Sequence, residues 1–180
     1  GKPNIINSLV ADSEGEILVI TDANVMLEKN TLRELVLPFS DAEVGLVDSR
    51  MINKRISKEG ISGQEKFYID REVRIKQEES VLWGCMMGPF GGCFAVRRSA
   101  YKPVPQNYLV DDFYINMSVL EQNLKCISNP EANVYEEGTN SISEEFRRKA
   151  RISAGNFQNL WRFKHLLIPV GDGMEFCLFS

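Results

Sequence analysis

The chain has 180 residues, of which 43% are hydrophobic and 26% are charged, and its 21 basic and 25 acidic side chains give a net charge of −4. This composition predicts one folded domain spanning residues 1–180 and excludes a disordered, fibrous or disulfide-stapled chain. The acidic balance also argues against nucleic-acid binding, which requires a dense basic surface. Any anionic ligand must therefore be bound by a local cluster of cations.

The cysteines and the apolar segments exclude two further classes. Cys85, Cys93, Cys126 and Cys177 form no CxxC pair, and His165 is the only histidine, so a zinc site of the usual spacing is excluded and reduced thiols are favoured. The longest uncharged stretch, residues 81–96, is broken by glycines and a proline, so we predict no membrane span in this chain. The helix-like start and the apolar end suggest an excised piece of a longer polypeptide, whose unpaired strand edges would favour homo-oligomers.

The first fifty residues predict a strand–helix–strand unit. Apolar residues at helical spacing predict a short helix before Gly15, and Glu16–Thr21 is typical of a strand buried on both faces. A capping box at Thr31 predicts a helix that ends before Pro38, and 44–47 reads as a second buried strand. Such a βαβ unit makes its strands parallel.

The remaining sequence continues the alternation of helices and strands. The predicted elements are a helix at 64–79, a strand at 93–96, a helix at 111–120, short strands near 126–127 and 133–135, and a long helix opened by a capping box at Ser141 and ending near Lys164. Together they predict an α/β, Rossmann-like fold with a mixed, mostly parallel sheet flanked by helices.

Two oxygen-bearing side chains, Asp22 and Asn24, follow the first predicted strand. Ligands of open α/β sheets bind beyond the carboxyl ends of the strands, and a hard cation such as Mg²⁺ prefers oxygen ligands of this kind. The alternative is a turn in which these side chains only satisfy local amides.

A second acidic pair, Asp111 and Asp112, opens a predicted helix. Adjacent aspartates repel, which raises the pKa of one of them and suits it to act as a general base. The alternative is that both only stabilise the N-terminus of the helix.

Arginines cluster on the long C-terminal helix, where Arg151 lies four residues after Arg147 and three after Arg148, so these side chains share a face. Guanidinium groups suit phosphate, although pairing with Glu144 and Glu145 would explain them equally well. The Phe90-Gly91-Gly92-Cys93 segment allows backbone to approach a ligand, or else forms a bulge or tight turn.

The order of these motifs is similar to that of the family 2 glycosyltransferases, which invert the configuration of the transferred sugar. Residues 1–7 resemble the family's GKxxALN segment, and 16–24 resemble the strand that carries its DxD motif. Residues 90–98 are similar to the glycine-containing segment with paired arginines, 111–112 to the acidic base motif, and 148–152 to QxxRW. Asn24 replaces the second aspartate of DxD, and the last match lacks both Gln and Trp.

This resemblance implies a glycosyltransferase-A fold, of which the chain would be the C-terminal portion without the N-terminal nucleotide-binding segment. It implies Mg²⁺ or Mn²⁺, a nucleotide diphospho-sugar donor, most often a UDP-sugar, and a carbohydrate or lipid-linked acceptor, in a parent protein at the cytoplasmic face of a membrane. The roles that it implies are metal binding for Asp22 and Asn24, diphosphate binding for Lys2, Arg148 and Arg151, general base for Asp112, and acceptor binding for Gly91, Gly92 and Asp111.

Two other classes remain open on the sequence. A non-catalytic module of the same fold would bind a sugar or a protein partner without metal-dependent donor affinity. A hydrolase would use Asp111 and Asp112 together, although neighbouring positions at a helix start seldom point across one substrate bond. We expect the chain by itself to bind the donor weakly and to turn over little.

Overall fold

The computed structural model describes residues 1–53, 61–136 and 142–167. The helices are α1 (Lys2–Asp12), α2 (Thr31–Val36), α3 (Ile61–Trp83), α4 (Asp111–Leu120) and α5 (Ile142–Arg162). The strands are β1 (Ile17–Thr21), β2 (Val25–Leu27), β3 (Val44–Asn53), β4 (Cys93–Arg97) and β5 (Lys125–Glu136). Short 3₁₀ turns lie at Leu37–Ser40, Arg98–Ala100 and Lys164–Leu167. The predicted α/β class is confirmed.

The five strands form one sheet in the order β1-β4-β3-β5-β2, and its direction corrects the sequence prediction. Only β3 and β5 pair in parallel; the β1–β4, β3–β4 and β2–β5 pairs are antiparallel. The sheet is therefore mixed but mostly antiparallel, not mostly parallel. β1 and β3 do run in the same direction, as a βαβ unit requires, but β4 lies between them. An apolar run predicts a buried strand without specifying the direction of its partner.

β5 is a single strand where the sequence predicts two short ones. Its pairing with β3 shifts register between Asp48 and Arg50, which face Ser128 and Asn133. The segment between Ser128 and Asn133 bulges from the ladder, and its Asn-Pro-Glu sequence at 129–131 interrupts the apolar pattern, which explains why β5 reads as two pieces.

The sheet separates two hydrophobic cores. On β4, Phe94 and Val96 face the core that contains α1 and α4, whereas Cys93 and Ala95 face the core that contains α2. Because all four are fully buried, β4 is a central strand, with side chains alternating between the two faces. β1 is instead an edge strand whose residues are mostly half-buried, so the predicted burial on both faces is wrong there.

The capping box predicted at Thr31 is not formed. Thr31 is the first residue of α2, and its hydroxyl donates to the carbonyl of Asn133 on β5. The helix is thus tied to the sheet rather than capped by its own side chain. The second predicted capping box, at Ser141, lies outside the described residues.

α1 is fixed to the body of the protein by the side chain of Asn7. Its Nδ2 donates to the carbonyl of Val104 at 2.8 Å, and its Oδ1 accepts from the Tyr101 hydroxyl at 2.7 Å. These contacts set where the first turn of α1, and with it Lys2, lies relative to the sheet. Cys85, Cys93 and Cys126 are free thiols, as predicted, and Cys177 lies outside the described residues. Among the described helices, none combines the length and apolar character needed to cross a bilayer.

Candidate active site

The residues predicted to carry chemistry begin where β1 ends. The Asp22 N–H donates to the carbonyl of Gly92 at 2.8 Å, and the Asp22 carbonyl accepts from the Val25 N–H at 3.2 Å. The chain therefore turns between β1 and β2, which leaves the side chain of Asp22 38% exposed. Asn24, on the same turn, donates through Nδ2 to Oε1 of Glu136 at 2.9 Å.

Lys2 joins the two acidic motifs. Its Nζ lies 2.8 Å from Oδ1 of Asp22 and 3.4 Å from Oδ2 of Asp111, so residues 20 and 109 positions away meet at one ammonium group. Burial by itself would lower the pKa of Lys2, but the hydrogen bond to Asp22 and the charges of Asp111, Asp22 and Asp112 raise it above its usual value. Asp111 is buried, and its Oδ2 has no hydrogen-bond partner among the described residues. The Lys2 cation is what compensates its charge.

Asp112, the predicted base, is half-buried in the first turn of α4. Burial, followed by the neighbouring charge of Asp111, raises the pKa of Asp112 to about 6, against the opposing effects of the Phe113 N–H and the charges of Lys2 and Lys76. The Phe113 N–H donates to Oδ1 at 2.7 Å. Asp112 thus interacts with the start of its own helix, as the structural alternative predicted, and is also tuned as a base would be.

A glycine pair lets the loop before β4 pass beside Asp112. Gly91 has a φ of +80°, and a Cβ there would overlap Oδ2 of Asp112. A Cβ at Gly92 would overlap the end of the Met51 side chain. The segment is therefore a close approach of backbone to side chains, and it forms a wall beside the carboxylate.

Asp112 faces a cavity of about 790 Å³. The cavity is lined by apolar residues, charged residues and a few small or polar ones. Its lining consists of Met51, Met87, Pro89, Phe90, Val110, Phe113 and Ile152, then Glu72, Lys76, Asp112, Glu136, Arg148 and Lys149, then Gly88, Ser153 and Asn156. A pocket lined by carboxylates, cations and apolar side chains suits a polar substrate with a hydroxyl and an anionic group.

A buried ion pair, which the sequence analysis missed, supports this wall. Asp48 on β3 is fully buried, and its Oδ2 accepts from the Phe90 N–H at 3.1 Å and lies 3.8 Å from Nζ of Lys76. Nζ of Lys76 also lies 3.4 Å from the centre of the Phe90 ring. Burial raises the pKa of Asp48 to about 7, with Lys76 and the Phe90 N–H opposing that shift and Asp112 adding to it.

One sequence signal could have indicated Asp48, because an aspartate follows directly on the apolar run 44–47 of a buried strand. A charged residue inside a buried strand requires a partner. Lys76 has no such signal, since it lies in a helix rich in charged residues.

The structure brings most of the predicted residues together. Lys2, Asp22 and Asp111 form one ion-pair cluster, Asp112 and Gly91 are in contact beside it, and Arg148 lines the same cavity as Asp112. Arg151 is exposed on α5 and does not belong to the cavity lining in the described part of the chain.

The donor chemistry of the β1–β2 turn fits a divalent cation that takes most of its ligands from elsewhere. Asp22 offers a partly exposed carboxylate, and the amide hydrogen bond of Asn24 uses its nitrogen, which leaves the carbonyl oxygen as the donor atom for a cation. Within residues 1–53, 61–136 and 142–167, no three His, Cys, Asp or Glu side chains cluster as a metal site. Mg²⁺ and Mn²⁺ commonly bind through one or two side chains together with phosphates and water, so this pair fits such an ion.

Comparison with known proteins gives a match to one family model over part of the chain. Residues 1–72 match the model of glycosyl transferase family 21, which covers less than half of the chain. No curated protein sequence matches. The sequence resemblance indicates family 2, whereas the matching model is that of family 21.

Solved structures share the fold at low sequence identity. A mannosyltransferase from Pyrobaculum calidifontis, in complex with GDP-Man and Mn²⁺, is similar with a TM-score of 0.71 and 20% identity over 96% of this chain and 44% of that one. Glucosyl-3-phosphoglycerate synthase from Mycobacterium tuberculosis is similar in complex with Mn²⁺ and UDP-glucose (TM-score 0.56, 15% identity, 88% of this chain and 54% of that one). Its complex with phosphoglyceric acid gives a TM-score of 0.57 and 18% identity over 100% and 60% of the two chains.

The chain thus spans about half the length of these structures and has part of a glycosyltransferase-A fold.

Proposed function

We propose that this chain is the C-terminal portion of a glycosyltransferase catalytic domain, which transfers a sugar from a nucleotide diphospho-sugar to an acceptor hydroxyl with inversion. The observation that carries the proposal is the position of Asp112. Its half-buried carboxylate, with a pKa raised to about 6, lines a cavity together with Arg148. Asp112 is also the next residue after Asp111, which belongs to the ion-pair cluster with Lys2 and Asp22. A base thus lies next to cations suited to a diphosphate.

Asp112 acts in this proposal as the base. Its carboxylate accepts the proton of the acceptor hydroxyl while the hydroxyl oxygen forms the bond to the anomeric carbon. The bond from that carbon to the diphosphate oxygen breaks, and the nucleoside diphosphate leaves with the electron pair. A single displacement of this kind inverts the anomeric centre. Gly91 leaves room for the carboxylate. Gly91, Gly92 and Asp111 are proposed for acceptor binding from the sequence resemblance.

Cations of this chain hold the leaving group. Lys2 lies at the β1–β2 turn, and Arg148 lies in the cavity wall, so each can bind a phosphate oxygen. Arg151 is proposed for the same role from the sequence resemblance. Asp22 and Asn24 would hold Mg²⁺ or Mn²⁺, which supplies positive charge to the diphosphate when bound. A UDP-sugar is the proposed donor, and a carbohydrate or lipid-linked molecule the proposed acceptor.

The test is the substitution Asp112→Asn in the full-length protein, assayed with UDP- and GDP-sugars and Mn²⁺. Loss of a general base lowers kcat by about 10²–10⁴-fold, while the affinity for the donor stays within a small factor. Asp41→Asn is the matched control, because Asp41 lies on the surface beside Lys125, away from the cavity.

Two results would reject the proposal. Full activity of the Asp112→Asn protein would show that another group is the base. The absence of metal-dependent donor binding by the full-length protein would instead indicate a non-catalytic module of the same fold.

A further inference from the structure

α5 has two faces of different character. Its inner face packs on the protein. Gly155 is buried against Val110, and the Nδ2 of buried Asn159 donates to the Val110 carbonyl at 3.3 Å. Phe163, just beyond the helix, packs its ring against that of Tyr114, with 5.5 Å between ring centres. This face fixes how the helix lies. Because the inner face is packed in this way, the opposite face of α5 is exposed to solvent.

The outer face of α5 is aromatic. Phe146, Phe157 and Trp161 are 74%, 70% and 74% exposed, and Leu160 beside them is 50% exposed. Positions 146, 157 and 161 differ by 11 and 4 residues, which is three turns and one turn of an α-helix, so they form one stripe. Three large aromatic side chains on one exposed stripe constitute a surface that water solvates poorly.

The same segment is strongly basic. Between Phe146 and Leu167 there is no aspartate or glutamate, although the whole chain has a net charge of −4. Its lysines and arginines are Arg147, Arg148, Lys149, Arg151, Arg162 and Lys164. Arg148 and Lys149 line the cavity, and Nη1 of Arg162 lies 3.3 Å from Oε1 of Glu121, so Arg147, Arg151 and Lys164 are the cations that flank the stripe. Arg147 is exposed beside Phe146, and Nζ of Lys164 lies 3.9 Å from the centre of the Trp161 ring. The side chains of Glu144 and Glu145, which the sequence offers as partners for these arginines, lie outside the described residues.

We propose that α5 lies in the interface of a membrane rich in anionic lipids, with its aromatic stripe at the boundary between headgroups and acyl chains. A helix with one aromatic face and flanking cations has the composition of an interfacial helix, and Trp and Phe side chains favour that depth. The cations complement anionic headgroups, which attract basic segments close to the membrane surface. An apolar protein groove would match the stripe but would not complement the cations that flank it, whereas anionic headgroups above acyl chains do both.

This orientation also positions the cavity. Arg148, Ile152 and Asn156 of α5 line it, so a helix lying on the bilayer holds the cavity beside the membrane surface. The inference is independent of the proposed function, because it depends on the outer face of α5 and the function depends on Asp112.

The test is sedimentation of this chain with vesicles made of equal parts of phosphatidylcholine and phosphatidylglycerol. We expect binding that weakens at high salt and is much weaker on pure phosphatidylcholine. The double substitution Phe157→Ser and Trp161→Ser should lower the binding constant about tenfold or more, since two aromatic side chains no longer enter the interface. The double substitution Val81→Ser and Leu82→Ser is the matched control, because these side chains, on α3, are 85% and 67% exposed.

A second measurement, the fluorescence of Trp161, reports how deeply the aromatic stripe enters the bilayer. In a Trp83→Phe background, the emission of Trp161 should shift to shorter wavelength on anionic vesicles and be quenched by brominated lipid. Both double variants change exposed side chains, and circular dichroism melts equal to that of the parent chain would establish that they fold.

Three results would overturn the inference. The first is the absence of vesicle binding, and the second is equal binding by the Phe157→Ser, Trp161→Ser variant. The third is light scattering that shows a dimer which this variant dissociates, since a second copy would then cover the stripe.

Discussion

The α-carbon of Gly91 lies so close to the carboxylate of Asp112 that a single added methyl group would overlap Oδ2. A loop between α3 and β4 and the first turn of α4 are thereby fitted to each other at the residue that we propose as the base. Gly91 also has a φ of +80°, a backbone conformation that residues with a side chain rarely adopt, so this position favours glycine for a second reason.

The substitution Gly91→Ala should therefore impair activity more than folding. The left-handed backbone costs about 1–2 kcal/mol of stability, whereas the displaced carboxylate no longer lies where an acceptor proton can reach it. We expect the pKa of Asp112, followed by NMR titration, to move from about 6, together with a large loss of kcat in the full-length protein. Gly15→Ala is the control, since its Cβ would meet only the Ile17 carbonyl oxygen at 3.4 Å. Equal behaviour of the two variants would contradict this view of Gly91.

The substitution Lys76→Met should destabilise the protein in a pH-dependent way. It leaves the Asp48 carboxylate buried without its cation, which costs about 3–5 kcal/mol when the carboxylate is ionised. Because the pKa of Asp48 is already raised to about 7, a proton can neutralise it in mild acid. Urea unfolding should show a large loss of stability above neutral pH and a smaller one in mild acid. Adding Asp48→Asn to Lys76→Met should restore part of the loss, and an equal loss at all pH values would contradict the pairing.

The chain without substitutions should lose stability as the pH rises from about 4 to about 7. In that window the folded state keeps protons on Asp48 and Asp112, whose pKa values are raised from 3.8 to about 7 and about 6, while the unfolded chain has released them. The free energy of unfolding then falls by about 1.4 kcal/mol per pH unit for each such proton. Denaturant unfolding across this range should show a shallower slope in the Asp48→Asn variant.

Asp41→Asn serves as the control for this slope. The backbone hydrogen bond from Glu43 and the side chain of Lys125 lower the pKa of Asp41, so its titration affects stability only below about 4. A slope that Asp41→Asn changes as much as Asp48→Asn does would contradict the assignment to buried carboxylates.

The sequence predicted the elements better than their arrangement. The bounds of α4 and the place of β4 follow from local periodicity and from the arginines that end β4, and both are confirmed. The direction of β4 is not a local property, because it depends on the insertion of this strand between β1 and β3. Thr31 is a second example of a non-local effect. Its sequence context predicts a capping box, whereas in the fold its hydroxyl donates to a carbonyl on β5.

The residues of the candidate site also fall into two groups, those that local sequence indicates and those that only the fold reveals. Asp22, Asp112 and Gly91 can be found from local sequence, because they follow a predicted strand, open a predicted helix and belong to a glycine pair before a strand. Asp48 and Lys76 contribute through burial and through a contact at 3.8 Å between elements 28 residues apart, which no local pattern encodes. The meeting of Lys2 with Asp22 and Asp111 likewise depends on Asn7, which anchors α1 through Tyr101 and Val104.

Removing the Lys2 ammonium should destabilise the protein more than removing its exposed partner. The pair between Lys2 and Asp22 is partly solvated, with side chains 44% and 38% exposed, so the substitution Asp22→Asn should cost about 1 kcal/mol or less. Lys2→Met also strands the buried Asp111 carboxylate, which adds about 1–3 kcal/mol for an uncompensated buried group. Urea unfolding of both variants and of Lys2→Met combined with Asp111→Asn tests this, and the combination should be more stable than Lys2→Met alone. If Lys2→Met and Asp22→Asn cost the same, Asp111 does not depend on Lys2 and the ion-pair cluster is only a surface contact.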